Sequence, residues 1–541
     1  MFHQLIENLI DETVRGSLVY FRAELWLCGT IVGLLLFRLL SIDRVIPTSI
    51  LALAGAVTAT IVGWSQLVAI SESGTVVSDS FFTGMLIHDN FSVYFRLFLS
   101  LFLVLTIALT ILTGIPDTED SPDFYCLLLG ATIGMMIMAS ANNLLMLFIG
   151  VEMASVPSYA LVGFLKGRKS SSEAALKYVI YGAGAAGVML YGISLIVGML
   201  GTGDMSLLAE RLSIVAEGGV TGLGDPEVRL VALGAMLVMV GLAFKLSLVP
   251  FHFWAPDVFE GASAEVGGFL SVASKAGAFA LLVRFCVALS GDPSTAELMT
   301  AFGIGLGVIS MITMTFGNLA AYGQSNIKRL LSYSTIAHAG YMLMAVSAML
   351  VMLNSGHPHE LGADINACIG GLLYYLAVYL FMNLGAFAVV ALIRNYTFSE
   401  EIESYAGLIR QSPGLCICML FCMFSLVGIP PFGGFLGKLM IFGSVYKAGS
   451  IHWSMYLLMA VGGLNTVFSL VYYLRVLKTM IIDDRPAGAQ PVRLPTLEGA
   501  YIGLLAASVL FLGCAPFIPN GLNNIAIDAA KSVFSALVTL P

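Results

Sequence analysis

Phe244-Lys245-Leu246-Ser247-Leu248-Val249-Pro250 and Phe424-Ser425-Leu426-Val427-Gly428-Ile429-Pro430-Pro431 each interrupt a long apolar run. Phe, Leu and Pro recur between them at a constant offset of 180 residues. Proline inside a helix removes a backbone donor and frees the carbonyl one turn earlier. Pro250, Pro430 and Pro431 therefore predict two broken helices with free carbonyls in apolar surroundings. The offset spans five apolar runs, and an odd number of crossings reverses the direction in which a repeated unit threads a bilayer. The pattern predicts an inverted repeat, in which interrupted helices at matching places point to an ion site at mid-membrane.

Outward from these breaks the chain is apolar almost throughout. Of 541 residues 58% are hydrophobic and 11% charged, with a mean hydropathy of +0.93. That balance excludes a soluble protein of this length and predicts an all-α polytopic membrane protein. Fourteen runs long enough to cross about 30 Å of hydrocarbon lie near 23–40, 46–70, 91–114, 123–141, 143–165, 173–200, 229–251, 263–290, 298–322, 328–353, 365–394, 412–446, 454–481 and 495–517. The fourth and fifth are separated by little more than Asn142 and Asn143. Residues 1–541 read as one membrane domain, with a first repeat over 123–290 (runs four to eight) and a second over 298–481 (runs nine to thirteen).

Basic residues collect in the loops after odd-numbered runs: Arg44, then Lys166, Arg168 and Lys169, then Lys328 and Arg329, then Arg394 and Arg410, then Arg485 and Arg493. Such loops stay on the cytoplasmic side, so both termini are expected outside the cytoplasm, against Arg15 and Arg22 in the N-terminal tail. In a bacterium that side of the inner membrane is the periplasm. The net charge of −8 comes largely from loop carboxylates such as Asp117, Glu119, Asp120 and Asp123, and a basic patch for nucleic acid is missing. The tail from Met1 to Arg22 carries Glu7, Asp11 and Glu12 rather than a basic start, so no signal cleavage is expected.

Ionisable groups inside the runs are the candidates for function, because hydrocarbon disfavours a charge by roughly 2.5 to 3.5 kcal/mol on insertion scales. Lys177, Lys245, Lys275 and Lys438 stand there, with Glu152 and His338. Lys245 lies about sixteen residues into its run and Lys275 about twelve into its own, deeper than a side chain snorkelling from a helix end requires. Glu152 has no basic neighbour within two turns, so its partner comes from another helix or from water; a carboxylate hydrogen-bonded between helices is the plainer alternative. Lys177 follows Glu173 by four residues, the spacing of a helical ion pair. Lys438 sits among Gly433, Gly434 and Gly437, which suit close backbone approach. His338 shares its helix with several hydroxyls; a lone helical histidine is more often a packing residue, yet imidazole titrates near neutrality.

Other patterns lead nowhere. Gly182-Ala183-Gly184-Ala185-Ala186-Gly187 fits a dinucleotide-binding string, but it lies within an apolar helix, where small residues let helices approach. Cys416, Cys418 and Cys422 lack the regular CxxC spacing of a zinc or iron-sulfur site and read as packing residues. His357-Pro358-His359-Glu360 has the donors for a surface metal, though exposed loop polarity explains it. No Walker or haem-attachment motif occurs, and no metal or cofactor site is expected in this chain.

Several stretches together carry a family resemblance: Ala174-Ala175-Leu176-Lys177-Tyr178, the run from Phe244 through Pro250-Phe251-His252-Phe253-Trp254-Ala255-Pro256-Asp257-Val258-Phe259-Glu260-Gly261, and Phe269-Leu270-Ser271-Val272-Ala273-Ser274-Lys275. Asn326-Ile327-Lys328-Arg329-Leu330-Leu331-Ser332-Tyr333-Ser334 and Gly428-Ile429-Pro430-Pro431-Phe432-Gly433-Gly434-Phe435-Leu436-Gly437-Lys438 complete it. The chain resembles the antiporter-like subunit N family of the proton-pumping NADH:quinone oxidoreductase, respiratory complex I. That resemblance implies fourteen helices with two inverted five-helix units, broken seventh and twelfth helices, and one proton-translocating module of a larger assembly. It implies a hydrated chain through Glu152, Lys245, Lys275, a polar residue at the His338 position and Lys438, with Lys177 an added candidate. It also implies partner subunits, membrane and peripheral, that carry flavin, iron-sulfur clusters and quinone. At Ala262-Ser263-Ala264-Glu265 the chain departs from relatives, which usually carry a proline-containing turn there. The competing reading is a subunit of a cation/proton antiporter of the sodium-resistance type; the absence of a long lateral helix after the fourteenth run favours the first.

Overall fold

The apolar runs become helices, and several of them are started by a side chain that supplies what the first backbone amides lack. Asp89 and Ser92 form a reciprocal cap on the third span, Asn143 caps the fifth, Asp225 precedes Pro226 at the seventh, and Asn326 accepts from two amides at the tenth. The computed structural model describes residues 12–73, 78–117, 120–217, 225–356, 358, 360–486, 491–492, 495–514 and 521–538. His357 and His359 of the candidate metal loop, residues 1–11 of the tail, Glu119 and Arg493 lie outside them.

The spans run Arg22–Leu39, Thr48–Ser73, Asn90–Thr113, Ser121–Ser140, Leu144–Val162 and Lys169–Leu200. The seventh is Pro226–Leu246 and, after a turn, Trp254–Gly261. Ala264–Ala288, Ala296–Ala321, Ile327–Leu353 and Gly362–Thr397 follow. The twelfth is Pro413–Val427 and Gly433–Ala448, and Ser454–Ile481 and Thr496–Cys514 complete the fourteen. Among the described residues twelve helices are long and apolar enough to cross a membrane. The twelfth span misses that standard because it is split, and the first because it carries Arg22, Glu24 and Arg38. Both breaks fall where the prolines place them.

The eighth, tenth and eleventh spans are enclosed on all sides, whereas the second, sixth, thirteenth and fourteenth show most of their surface outward. That outward face bears Ile61, Trp64, Tyr191, Val467 and Phe511, a surface for lipid rather than water. The chain is an integral membrane protein. Asn142 and Asn143 do divide the fourth span from the fifth: Asn142 Nδ2 donates to the Gly84 carbonyl at 3.0 Å, and Asn143 Oδ1 accepts from the Leu145 amide at 2.9 Å.

Among the described residues a hairpin and several shorter helices go beyond the spans read from sequence. Strands Ser78–Phe81 and Leu86–Asp89 pair antiparallel, so among the described residues the fold is all-α but for this hairpin. Leu208–Glu217 is a short helix between the sixth and seventh spans. Leu522–Val538 follows the fourteenth, is not among the described helices long and apolar enough to cross a membrane, and packs on the third and eleventh spans. Buried charge also escaped the sequence reading near the first and third spans, where Arg96 Nε meets Glu24 at 2.6 Å and Arg284 meets Asp89 at 2.7 Å. The glycine string contributes less than expected. Gly182 makes room for the Tyr159 hydroxyl, while Gly184 and Gly187 face open space; the close approach of sixth and seventh spans is made by Gly192 and Gly234.

The second half of the twelfth span seats itself on Ser425, whose hydroxyl accepts from the Gly434 amide at 3.0 Å. A methyl at Gly434 would lie 1.9 Å from the Ser425 carbonyl oxygen, whereas one at Gly443 on the same helix meets nothing. Gly434→Ala is expected to lower the thermal midpoint of the detergent-solubilised protein and Gly443→Ala to hold or raise it, since alanine favours a helix by up to about 1 kcal/mol. Equal midpoints for the two variants would contradict this packing.

Candidate functional site

At the first break the seventh span ends on Leu246, with Ser247 in the left-handed region. Carbonyls at a helix end lack partners and carry partial negative charge. Phe244 O accepts from Trp254 Nε1 at 3.0 Å, and Leu246 O accepts from Lys275 Nζ at 2.7 Å. At the second break the helix ends on Val427, and Gly428 takes a φ of 90°. Leu426 O and Val427 O accept from Lys438 Nζ at 3.1 and 2.9 Å. Glycine is needed at 428 twice over, for the positive φ and because a Cβ there would stand 3.0 Å from Lys438 Cδ. Leu246 and Leu426 are the leucines matched at 180 residues, so Lys275 and Lys438 perform the same act at equivalent carbonyls. In sequence the lysines of the two breaks do not match, since Lys245 precedes Pro250 while Lys438 follows Pro430 by eight residues; the geometry makes Lys275 the counterpart of Lys438.

Lys275 follows a π-helical turn, Leu270–Ser274, on the eighth span, a distortion often found where a helix carries function. Lys245 points the other way, donating to Ser155 Oγ at 2.9 Å. Ser155 is one turn beyond Glu152 on the fifth span, and the half-buried Glu152 feels the Lys245 charge. His338 stands within reach of charge on both Lys275 and Lys438. Its Nδ1 meets the Tyr375 hydroxyl at 2.6 Å and its Nε2 the Tyr473 hydroxyl at 3.2 Å, while Tyr473 also bonds Ser334 at 2.5 Å. Lys438 Nζ lies 4.4 Å from the centre of the Tyr341 ring, a cation–π contact worth more when desolvated. Lys245, Lys275, His338 and Lys438 are 1%, 2%, 2% and 4% exposed, which excludes snorkelling.

Lys177 is different. It is 40% exposed and pairs with Glu173 at 2.8 Å, the expected helical pair, and with Asp257 at 2.7 Å. Asp257 also binds Arg329, which reaches Glu260, so Lys177 belongs to an outer ion-pair chain beside the buried row. Ser155, Tyr341, Tyr375 and Tyr473 are the contributors that sequence reading passed over. Hydroxyls in an apolar run give no local signal, and only tertiary contact singles them out. Glu152, Lys245, Lys275, His338 and Lys438 are five groups able to hold a proton; Lys245 meets the Ser155 hydroxyl, His338 meets those of Tyr375 and Tyr473, and Lys275 and Lys438 rest on helix-end carbonyls.

The model of the membrane family described as NADH:quinone oxidoreductase/Mrp antiporter matches residues 141–469. NADH-quinone oxidoreductase subunit N of Anaeromyxobacter sp. is 38% identical, over 93% of this chain and 95% of that one. The chain belongs to the subunit N family. A second relative of the same name, from Desulfitobacterium hafniense, is 37% identical over 84% of this chain and 87% of its own. Among solved structures, a chain of respiratory complex I from Thermus thermophilus with bound aureothin superposes with a TM-score of 0.70 at 30% identity, covering 92% of this chain and 98% of that one. A chain of the Mrp complex from Dietzia sp. reaches a TM-score of 0.78 at 19% identity, over 96% and 98% of the two chains, a likeness of fold alone. Family membership bears out the resemblance read from the breaks and lysines.

Tyr473→Phe removes the hydroxyl shared by Ser334 and His338 and leaves both short of a buried partner, at a cost of about 1–3 kcal/mol. A lower thermal midpoint than wild type is expected, with Tyr446→Phe, whose ring is exposed, unchanged. Identical behaviour of the two variants would contradict the network.

Proposed function

We propose that this chain is a non-redox, proton-translocating subunit of a membrane NADH:quinone oxidoreductase. The observation that carries the reading is the pair of buried ammonium groups, Lys275 and Lys438, each held by the carbonyl end of a broken helix, with His338 between them. A charged amine is costly in an apolar interior, and a site that supports it by dipoles lets it exist with or without its proton. In this reading redox chemistry elsewhere in the assembly alters charge near Glu152 and displaces the Lys245 proton. A unit charge about 4 Å away at an effective dielectric near 20 is worth about 4 kcal/mol, enough to change which group holds it. Protons then pass by Lys275 and His338 toward Lys438 and leave. Lys177 tunes this from its outer ion pairs.

Residues 123–290 and 298–481 are the two inverted repeats in this proposal. Supporting this, the fourth span packs on the fifth as the ninth does on the tenth, and the sixth and eleventh each lie along both halves of a broken span. The partners are the other membrane and peripheral subunits, where flavin, iron-sulfur clusters and quinone reside, and the setting is a bacterial inner membrane with both termini periplasmic. The antiporter alternative shares the lysine pattern. Identity of 38% along 95% of a subunit N relative favours the oxidoreductase.

Lys245→Ala in the intact complex is expected to lower the protons moved per electron; unchanged stoichiometry rejects the relay. The native assembly, purified from membranes, is expected to bring flavin and iron-sulfur subunits with it. A preparation containing only antiporter-type membrane chains would favour the alternative.

A further inference from the structure

Glu265 lies at the basic-loop end of the eighth span, in the turn where the chain departs from the resemblance. It is 0% exposed, and neither carboxylate oxygen has a hydrogen-bond partner. Lys328, at the start of the tenth span and equally buried, donates to Ala262 O at 2.6 Å and pairs with Glu400 at 2.8 Å. Glu265 adds its charge to that seen by Lys328, as does Arg394 at the end of the eleventh span. Glu400 and Arg394 are the partly exposed members of this group, and Lys328, paired with Glu400, separates Glu265 from them.

A column of buried polar atoms leads inward from this cluster. Lys275 follows Glu265 by ten residues on the eighth span, and His338 follows Lys328 by ten on the tenth, a rise of about 15 Å in each helix. Between these levels the Ser274 and Ser332 hydroxyls and the Asn383 carbonyl oxygen are all buried without a protein partner. Tyr379 lies against the His338 ring at 5.3 Å, and Asn383 donates to Ser271 at 2.5 Å. Unpaired buried polar atoms are rare and are normally satisfied by ordered water. Their concentration among the three enclosed spans marks a wet path in an otherwise apolar interior.

We infer that Glu265 is a proton-loading carboxylate, fed from the surface past the Lys328–Glu400 pair and emptied through water between the eighth, tenth and eleventh spans. The carboxylate takes one proton from the solvent side to become the neutral acid, then yields it through water to the neutral amine of Lys275, which becomes ammonium. Glu265 returns to carboxylate, and the cycle needs no other reactant. This step rests on the relay proposed above and supplies its uptake from one side.

The test uses the assembled complex, with NADH:quinone electron transfer and proton uptake measured together in vesicles. Glu265→Gln keeps shape and hydrogen-bonding capacity but cannot carry a proton; pumping is expected to fall several-fold, while Glu265→Asp retains most of it. Wild-type pumping in Glu265→Gln, with Lys245→Ala impaired, overturns this inference and leaves the relay intact. Wild-type pumping in both variants overturns both. An equal loss in the Asp and Gln variants assigns Glu265 to packing and also overturns the inference. If Glu265→Gln does not assemble, the wild-type complex decides. A hydrophobic carbodiimide, which reacts with the protonated carboxyl, is expected to leave an adduct on Glu265 by peptide mass spectrometry, and absence of that adduct ends the proposal.

Discussion

A lysine ammonium resting on the carbonyl end of an interrupted helix is the contact around which the protein is arranged. It requires two costly things at once, a charge in an apolar interior and a helix whose last carbonyls have lost their amides. Each compensates the other. Leu246 O holds Lys275, and Leu426 O with Val427 O holds Lys438. The prolines, the left-handed residues Ser247 and Gly428 and the close glycine contacts of the second break all serve to present those oxygens.

The two halves reach this contact by different routes. In the first, the lysine comes from the next span; in the second, it comes from the continuation of the broken span itself. What is shared is the position of the carbonyl, matched at 180 residues. His338 is held by the hydroxyls of Tyr375 and Tyr473, groups able to pass a proton. Lys245 joins from the other side through Ser155, one turn from Glu152. The outermost helices contribute an apolar outer surface, with Ile61, Trp64, Tyr191, Val467 and Phe511 exposed.

Much of this was legible in the chain, because hydrocarbon tolerates so few local solutions. Every span could be placed from its apolar run, and Pro250 and Pro430 located both breaks. Asn142 and Asn143 marked a division that the structure keeps. The hairpin Ser78–Phe81 with Leu86–Asp89 was not legible, since two four-residue strands carry no membrane signal, and Leu522–Val538, with Asp528 and Lys531 within it, is not apolar enough to read as a span. Within the site, lysines announced themselves by charge. Tyr375, Tyr473 and Ser155 did not, because their role comes from helices distant in sequence. Lys177 shows the converse, a charge in an apolar run whose partners, Glu173 and Asp257, hold it at the edge.

The central claim is that these buried amines are linked by water into one path. A map of the assembled complex by electron cryo-microscopy, at a resolution that places ordered water, tests it most directly. Water is expected between Glu152 and Lys245, around Lys275 and His338, and on to Lys438. Dry, closely filled helix contacts separating these residues in every state observed would contradict the account.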